Sequence, residues 1–258
     1  MQHGIAFQSL IPIRAKPDHA SEQTTQLLFG EMYHVFEQKE NWLRIKTVFD
    51  NYEGWMHEKQ HYHLSAVDAE KLLKSPKSVA AELVQTVTNN DKSFPIVMGS
   101  TLYDFDGMNF KIGKEKFVYS GQATNEKTGL LNTEHIRKFA VRLLHAPYQW
   151  GGRSPFGIDC SGLTQVVYKV YGIDLPRDAY QQAEAGKILN FINEAREGDL
   201  AFFDNDEDRI THTGIVLSND QIIHASGEVR IDTIDHYGIY NKSLKKYTHK
   251  LRLLKRII

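Results

Sequence analysis

The sequence predicts an α+β protein in which two small β-barrels precede a helix-led segment that runs into an antiparallel sheet. Three observations predict it. Short apolar runs broken by turn residues fill the first 65 positions. A second stretch of the same character spans 78 to about 121. Beyond 132 the apolar period lengthens to that of a helix, and strand-like alternation then returns. At 258 residues the chain exceeds one typical domain and has room for two or three, each with a modest core.

The first barrel is read from runs at 26–29, 33–36, 42–48 and 54–56. SAVDAEKLLK (65–74) then opens on Ser65, a capping residue, and sets Leu72 and Leu73 on one side, as a short linker helix would. Strand-like AAELVQTVT, FPIVMG, STLYDF and EKFVYSG, with turns at Asn89-Asn90 and Asp106-Gly107, predict the second barrel, a diverged repeat of the first. Thr133 to Leu144 is a helix carrying Ile136, Phe139, Ala140, Leu143 and Leu144 at helical spacing. PYQWGGRSPFGID, rich in Gly and Pro, is a loop. Cys160 to Tyr171 places Leu163, Val166, Val167, Val170 and Tyr171 on one face and stops at Gly172, which predicts an amphipathic helix. Strands follow at 199–203, 212–217, 221–225, 229–234 and 247–254; the basic stretch 242–255 alternates with Leu and Tyr and reads as a strand with a solvated face.

Composition narrows the function. With 31 basic and 32 acidic residues the net charge is −1, so no overall field draws the chain to nucleic acid or an anionic membrane. Hydrophobic residues at 41% and charged residues at 24% suit a globular chain rather than a disordered one. Residues 1–14 lack the basic start and long apolar core of a secretory signal, and no run nears the ~18 apolar residues of a spanning helix. A cytoplasmic protein is expected, or an exported one if a signal was removed.

The single cysteine excludes an internal disulfide and a Cys-rich zinc site, leaving Cys160 as a buried filler or a reactive thiol. Its place at a helix start favours the second, because unpaired N–H groups and the macrodipole there stabilise a thiolate. Asp159 beside it is a helix cap or a substrate contact. His212 and His224 lie on adjacent strands around the turn 218–220. They share a face only if the loop holds an odd number of residues or a bulge intervenes; a regular two-residue hairpin would set them on opposite faces. A rival cluster, His57, His61 and His63 in HEKQHYH, superficially suits zinc. Only Glu58 accompanies it, and the segment reads as the solvated end of the first domain. No metal and no cofactor are expected.

PYQWGG, IDCSGL, LPRDAYQQ, EGDLAFF, HTGIVL and IIHAS occur in that order and resemble the NlpC-type cell-wall cysteine peptidases over residues 132–258. SEQTTQLLFGE and NYEGW are similar to the bacterial SH3-like domain of one branch, the γ-D-glutamyl-L-diamino acid endopeptidases. The resemblance implies an α+β papain-like catalytic domain at 129–258, preceded by two small SH3-like β-barrels at 1–65 and, with the linker helix, 66–128. It implies Cys160 as nucleophile, His212 as general base, His224 as the residue that orients His212, and Tyr148 as an oxyanion donor beside the Cys160 N–H. Thr213 stands where the family usually has Val. A murein tripeptide or tetrapeptide with a free N-terminal L-alanine is the implied substrate. Its ammonium would be met by Asp178, with Asp159 and Ser161, and with Tyr52 and Glu31 from the first barrel, which would close one end of the cleft. Trp150 would wall the pocket or else fill the core, and Tyr148 could also be a core residue. A monomer is expected. Two other classes share these features: an acyltransferase or amidase on the same Cys-His chemistry, and a cell-wall-binding module with a degenerate peptidase domain.

Overall fold

The computed structural model describes residues 2–90, 92–125, 133–205, 207–218 and 220–258. The boundary expected at 128/129 and the onset of the new pattern at Asn132 lie outside the described residues, as does Asn219 of the 218–220 turn. The chain divides into two compact units, Met1–Gly129 with Trp150–Pro155, and Leu130–Gln149 with Phe156–Ile258.

The first unit opens with β1 (Gln2–Ile5), β2 (Leu10–Arg14), β3 (Gln23–Leu28), β4 (Met32–Lys39), β5 (Trp42–Thr47), β6 (Glu53–His57) and β7 (Tyr62–Leu64). They form one antiparallel sheet in the order β3-β2-β6-β5-β4-β1-β7. Strands β1 and β2 were not foreseen, because each is short and mixes polar with apolar residues. Helix α1 (Ala66–Lys74) starts as expected at Ser65, whose hydroxyl accepts from the Asp68 N–H. Beyond it come β8 (Lys77–Ala80), β9 (Val84–Asn89), β10 (Lys92–Val97), β11 (Thr101–Tyr103), β12 (Asn109–Ile112), β13 (Glu115–Tyr119) and β14 (Ala123–Asn125). These make a four-stranded sheet, β10-β9-β13-β12, and a three-stranded one, β11-β8-β14. The first stretch keeps a core of its own around Ile11, Ile13, Leu27, Ile45 and Met56, and a second cluster joins the two stretches, with Ile5, Phe29, Met32 and Leu64 packing against Val87, Ile96, Phe110 and Phe117. The shared cluster adds buried apolar surface to two sets of strands that are each small.

A short strand within the first unit, β15 (Arg153–Ser154), comes from the Gly-rich loop. Arg153 is 2% exposed and forks onto Glu31, with both N–O distances 2.8 Å, and donates to the Gln26 carbonyl at 2.6 Å. Gly151 has φ +73°, and a Cβ there would lie 2.4 Å from the Gln23 carbonyl oxygen, so only glycine fits this approach.

The second unit contains α2 (Thr133–Arg142), β16 (Gly157–Ile158), α3 (Cys160–Tyr171), α4 (Ala179–Gln182), β17 (Lys187–Leu189), β18 (Leu200–Asp204), β19 (Ile210–Ser218), β20 (Gln221–Ser226), β21 (Glu228–Ile234), β22 (Gly238–Asn241) and β23 (Lys246–Arg256). Helix α3 has the predicted span. It is not one-sided, however: every residue from Cys160 to Val170 is buried. Its polar members tolerate this because they are bonded, Thr164 to the Ser161 carbonyl and Gln182, Gln165 to the Leu175 carbonyl, Tyr168 to the Gly198 carbonyl. Leu163, Val166, Val167 and Val170, almost wholly buried, each contribute roughly 1.5–3 kcal/mol.

The sheet runs β17-β23-β18-β19-β20-β21-β22, and β22 also pairs with β23, closing β18 to β23 into a ring. The length of β23 makes this possible: residues 246–250 pair with β22, and 250–255 pair with β18. At the crossing Gly238 has φ +140°, and a Cβ would sit 1.9 Å from the His249 carbonyl oxygen. The basic stretch 242–255 therefore starts in a turn at 242–245 and continues as β23, paired with β22 and then β18, while Lys246, Tyr247, Lys250 and Arg252 are exposed.

Candidate active site

Cys160 is the first residue of α3. Asp159 caps the helix, its Oδ1 accepting from the Gly162 N–H at 2.7 Å. The same carboxylate takes both arms of Arg177, at 2.5 and 3.0 Å, and Arg177 also donates to Ser161 Oγ at 2.8 Å. All three side chains are buried. Cap and charge pair thus fix the helix start that carries the sulfur, and the Asp159 carboxylate is committed to Arg177.

His212 and His224 are brought together. The hairpin loop has two residues, the arrangement that would have separated them, but a bulge between Val216 and Ser218 restores matched parity. His224 lies opposite Gly214, and His212 stands on the same face two residues away. Gly214 is needed for this pairing: a Cβ there would come within 2.9 Å of His224 Cβ and 2.8 Å of the Ile223 carbonyl oxygen. His212 Nε2 and His224 Nδ1 are 2.9 Å apart, and both rings are buried.

The relay continues to Asp232, which the sequence reading missed. His224 Nε2 is 3.1 Å from Asp232 Oδ2, and Arg230 donates to the two carboxylate oxygens at 2.7 and 3.0 Å. Burial alone would raise the Asp232 pKa; the bonds from His224 and Arg230 outweigh it and hold the carboxyl below its usual range. An ionised carboxylate only accepts, so the proton sits on His224 Nε2. An uncharged His224 then accepts at Nδ1, His212 donates from Nε2, and His212 Nδ1 is left as the basic nitrogen. Asp232 was legible only as alternate polar positions on β21, a pattern any half-exposed strand shows. Two further residues escaped notice: Arg177, inside the quoted LPRDAYQQ, and His249 on β23. His249 stacks on His212 with centroids 4.1 Å apart, and its Nδ1 is 2.9 Å from Thr248 Oγ1.

The expectation that the helix start makes Cys160 ionise readily is not met. Burial, reinforced by the Asp159 carboxylate, pushes the thiol up to about 12; the N–H groups of Thr213 and Ser161 and the Arg177 charge only partly offset this. Burial, then the neighbouring His249 and His224, drives His212 well below its ordinary value. The resting pair is a neutral thiol and a neutral imidazole, and Sγ lies 3.9 Å from the Thr211 carbonyl oxygen. Tyr148 is 36% exposed, which removes the core reading; burial, then Cys160 and Asp159, raises its phenol to about 12, so it remains a hydrogen-bond donor.

Asp178 is the half-buried N-cap of α4, and its own N–H donates to Gln181 Oε1 at 3.2 Å. Trp150, Glu31 and Tyr52 belong to the first unit. Trp150 is 58% exposed and donates to Glu22 at 2.6 Å, so it fills no core. Glu31 is 3% exposed in its fork with Arg153, and Tyr52 is half-buried, its N–H donating to Thr47 Oγ1 at 2.7 Å. Among the described residues the ligand atoms of His57, His61 and His63 do not form a group that converges on one point.

Residues 145–251 match the NlpC/P60 family, and residues 13–60 match the bacterial dipeptidyl-peptidase SH3 domain. Dipeptidyl-peptidase 6 of Lysinibacillus sphaericus is 26% identical, over 94% of this chain and 96% of the relative. The gamma-D-glutamyl-L-lysine dipeptidyl-peptidase of Bacillus subtilis is 28% identical, over 78% of this chain and 71% of the relative. In fold, the chain is similar to the crystal structure of an NlpC/P60 family protein from Bacillus cereus, with TM-score 0.83, 19% identity and 99% of both chains covered. Taken with the cysteine at a helix start and the histidine relay, these matches identify an NlpC/P60 cysteine-peptidase domain preceded by a bacterial dipeptidyl-peptidase SH3 domain.

Proposed function

We propose that the chain is a cysteine endopeptidase that hydrolyses the γ-D-glutamyl to diamino acid bond of murein peptides bearing a free N-terminal L-alanine. The observation that carries this reading is the relay His212–His224–Asp232, which leaves a base at His212 Nδ1 in the unit that buries the only cysteine. As substrate arrives, His212 takes the Cys160 proton and the sulfur attacks the γ-glutamyl carbonyl. The Cys160 N–H, left unbonded within the helix by its terminal position, and the Tyr148 hydroxyl stabilise the oxyanion. His212 then protonates the departing amine and activates water to release the thioester. His224 and Asp232 hold its ring and tautomer throughout.

Substrate preference follows from charge. We assign the substrate ammonium to Asp178 at the start of α4, with Ser161 and Trp150 among the recognising residues; Asp159 and Glu31 face Arg177 and Arg153. An acylated amine carries no positive charge and forgoes the charge-assisted hydrogen bond to the Asp178 carboxylate, worth about 1.5–3 kcal/mol. In this reading the catalytic domain is papain-like, the two sets of N-terminal strands are SH3-like barrels, and the first of them, with Tyr52, helps select the peptide. A monomer acting in the cytoplasm on released wall peptides completes the proposal. The name of the Bacillus subtilis relative, a gamma-D-glutamyl-L-lysine dipeptidyl-peptidase, supports the bond assigned.

Hydrolysis of L-Ala-γ-D-Glu-meso-diaminopimelate and of its L-Lys counterpart, each against the N-acetylated form, tests the reading by mass spectrometry. Cleavage of only the free-amine peptides by wild type, and of none by Cys160→Ala, is expected. Equal cleavage of the acetylated forms removes the ammonium role of Asp178.

A further inference from the structure

Relay chemistry needs two histidines, and the ring of β-strands supplies a third. One imidazole nitrogen from each of His212, His224 and His249 lies within 4.8 Å of the other two. Their tautomers are already constrained from outside the cluster. Asp232 holds His224 at Nε2, leaving Nδ1 to face inward. The Thr248 hydroxyl holds His249 at Nδ1, leaving Nε2 as its ligand atom. A carboxylate or hydroxyl on the outer nitrogen is the arrangement that orients metal-ligating histidines. Three imidazoles without a thiolate suit borderline divalent ions such as Zn²⁺.

We propose that His212, His224 and His249 form a binding site for Zn²⁺ or a similar transition-metal dication that shuts off the catalytic relay. With Zn–N bonds of about 2.0–2.1 Å, tetrahedral ligand nitrogens sit roughly 3.3 Å apart. The His212–His224 nitrogens, now 2.9 Å apart, need only separate by a few tenths of an ångström, and the His249 ring unstacks to turn its Nε2 inward. The ion then replaces the proton between His212 and His224. Its charge lowers the basicity of His212, and the hydrogen bond that sets the His212 tautomer is lost. A fourth position stays open to water. His249 supplies the ligand that distinguishes a metal site from the relay alone; among the described residues it stacks on His212 and makes no hydrogen bond to either relay histidine.

The inhibitory half rests on the peptidase reading; the binding half does not, and the two are measured separately. Co²⁺ serves as a spectroscopic probe and Zn²⁺ as competitor, with wild type, Cys160→Ala, His249→Phe and His249→Gln, each checked for folding by circular dichroism. Wild type and Cys160→Ala are expected to bind one ion each, with the absorption of a tetrahedral nitrogen-ligated site. Both His249 variants should bind at least about tenfold more weakly. In the peptide assay, Zn²⁺ should inhibit wild type reversibly by chelator, and each His249 variant, compared with its own zinc-free rate, should need at least about tenfold more Zn²⁺ for half-inhibition. Absence of one-to-one binding to wild type, binding unchanged in both His249 variants, or binding that disappears in Cys160→Ala overturns the site. Binding without inhibition overturns the shut-off. If no peptide is cleaved by wild type, the peptidase reading fails while the Co²⁺ data still decide the site.

Discussion

His57, His61 and His63 lie within seven residues, yet they do not converge on one point: His57 accepts from the Lys59 N–H and stacks on His19, His61 bonds the Tyr33 hydroxyl at 3.0 Å, and His63, exposed on β7, meets only the edge of His61, with centroids 6.1 Å apart. His212, His224 and His249 span 38 residues, and their rings meet. In the first group the chain passes through a strand end, a single turn and another strand, which scatters neighbours in sequence. In the second, register and ring closure bring strands β19, β20 and β23 together and aim one side chain of each at a common point. Spacing predicts convergence only where the backbone geometry between the residues is known.

The largest expected effect breaks the comparison if it fails. His212→Ala should reduce kcat/KM by about 10³-fold or more, whereas His57→Ala and His63→Ala should leave catalytic-domain chemistry within about twofold; steady-state kinetics on the free-amine peptide decide it. Asp232 sharpens it next. Asp232→Leu removes the acceptor for His224 Nε2–H and should cost about 10²-fold or more in kcat/KM. Asp232→Asn keeps an acceptor toward His224 and should recover much of that loss, while ¹⁵N spectra should show His224 still protonated at Nε2 only in the Asn variant.

Acid should separate the groups more gently. His212 lies well below its ordinary value, and burial holds His249 down to about 4. Below the unfolded pKa of about 6.5 the unfolded chain therefore binds more protons at these sites than the folded one. The stability they contribute is complete above that value and is lost as pH falls, so the melting temperature of the catalytic unit should drop between pH 7 and 5. In Asp232→Leu the carboxylate that raises the His249 pKa is gone, so that dependence should persist or steepen. The thiol titrates the other way: iodoacetamide alkylation of Cys160 in the free protein should remain slow at neutral pH and rise toward pH 12. A plateau near pH 6 would show a preformed thiolate. The smallest effect is Tyr33→Phe, which leaves His61 to water and should cost about 1 kcal/mol in denaturant melts, with hydrolysis unchanged.

Much of the site was legible in local signals. Period and the closing Gly172 gave the span of α3; Asp159 gave its cap, and strand-like HTGIVL and IIHAS set both histidines on neighbouring strands. Asp232, His249 and Arg177 were not legible, because each acts through a partner at least eight residues away on another element. The ion pair of Arg153 with Glu31, 122 residues apart, belongs to the same class.

By itself the sequence determined the elements and the start of the catalytic helix, since caps, turn residues and hydrophobic period act over a few bonds. Tertiary structure alone decided three things. A bulge put His212 and His224 on one face, where the hairpin length argued for opposite faces. Ring closure through β23 added His249. Burial reversed the predicted direction of the Cys160 pKa, because desolvation by the whole packed surround outweighs the few N–H groups at a helix end. Parity, closure and dielectric are collective properties of the fold, so no local window of residues carries them.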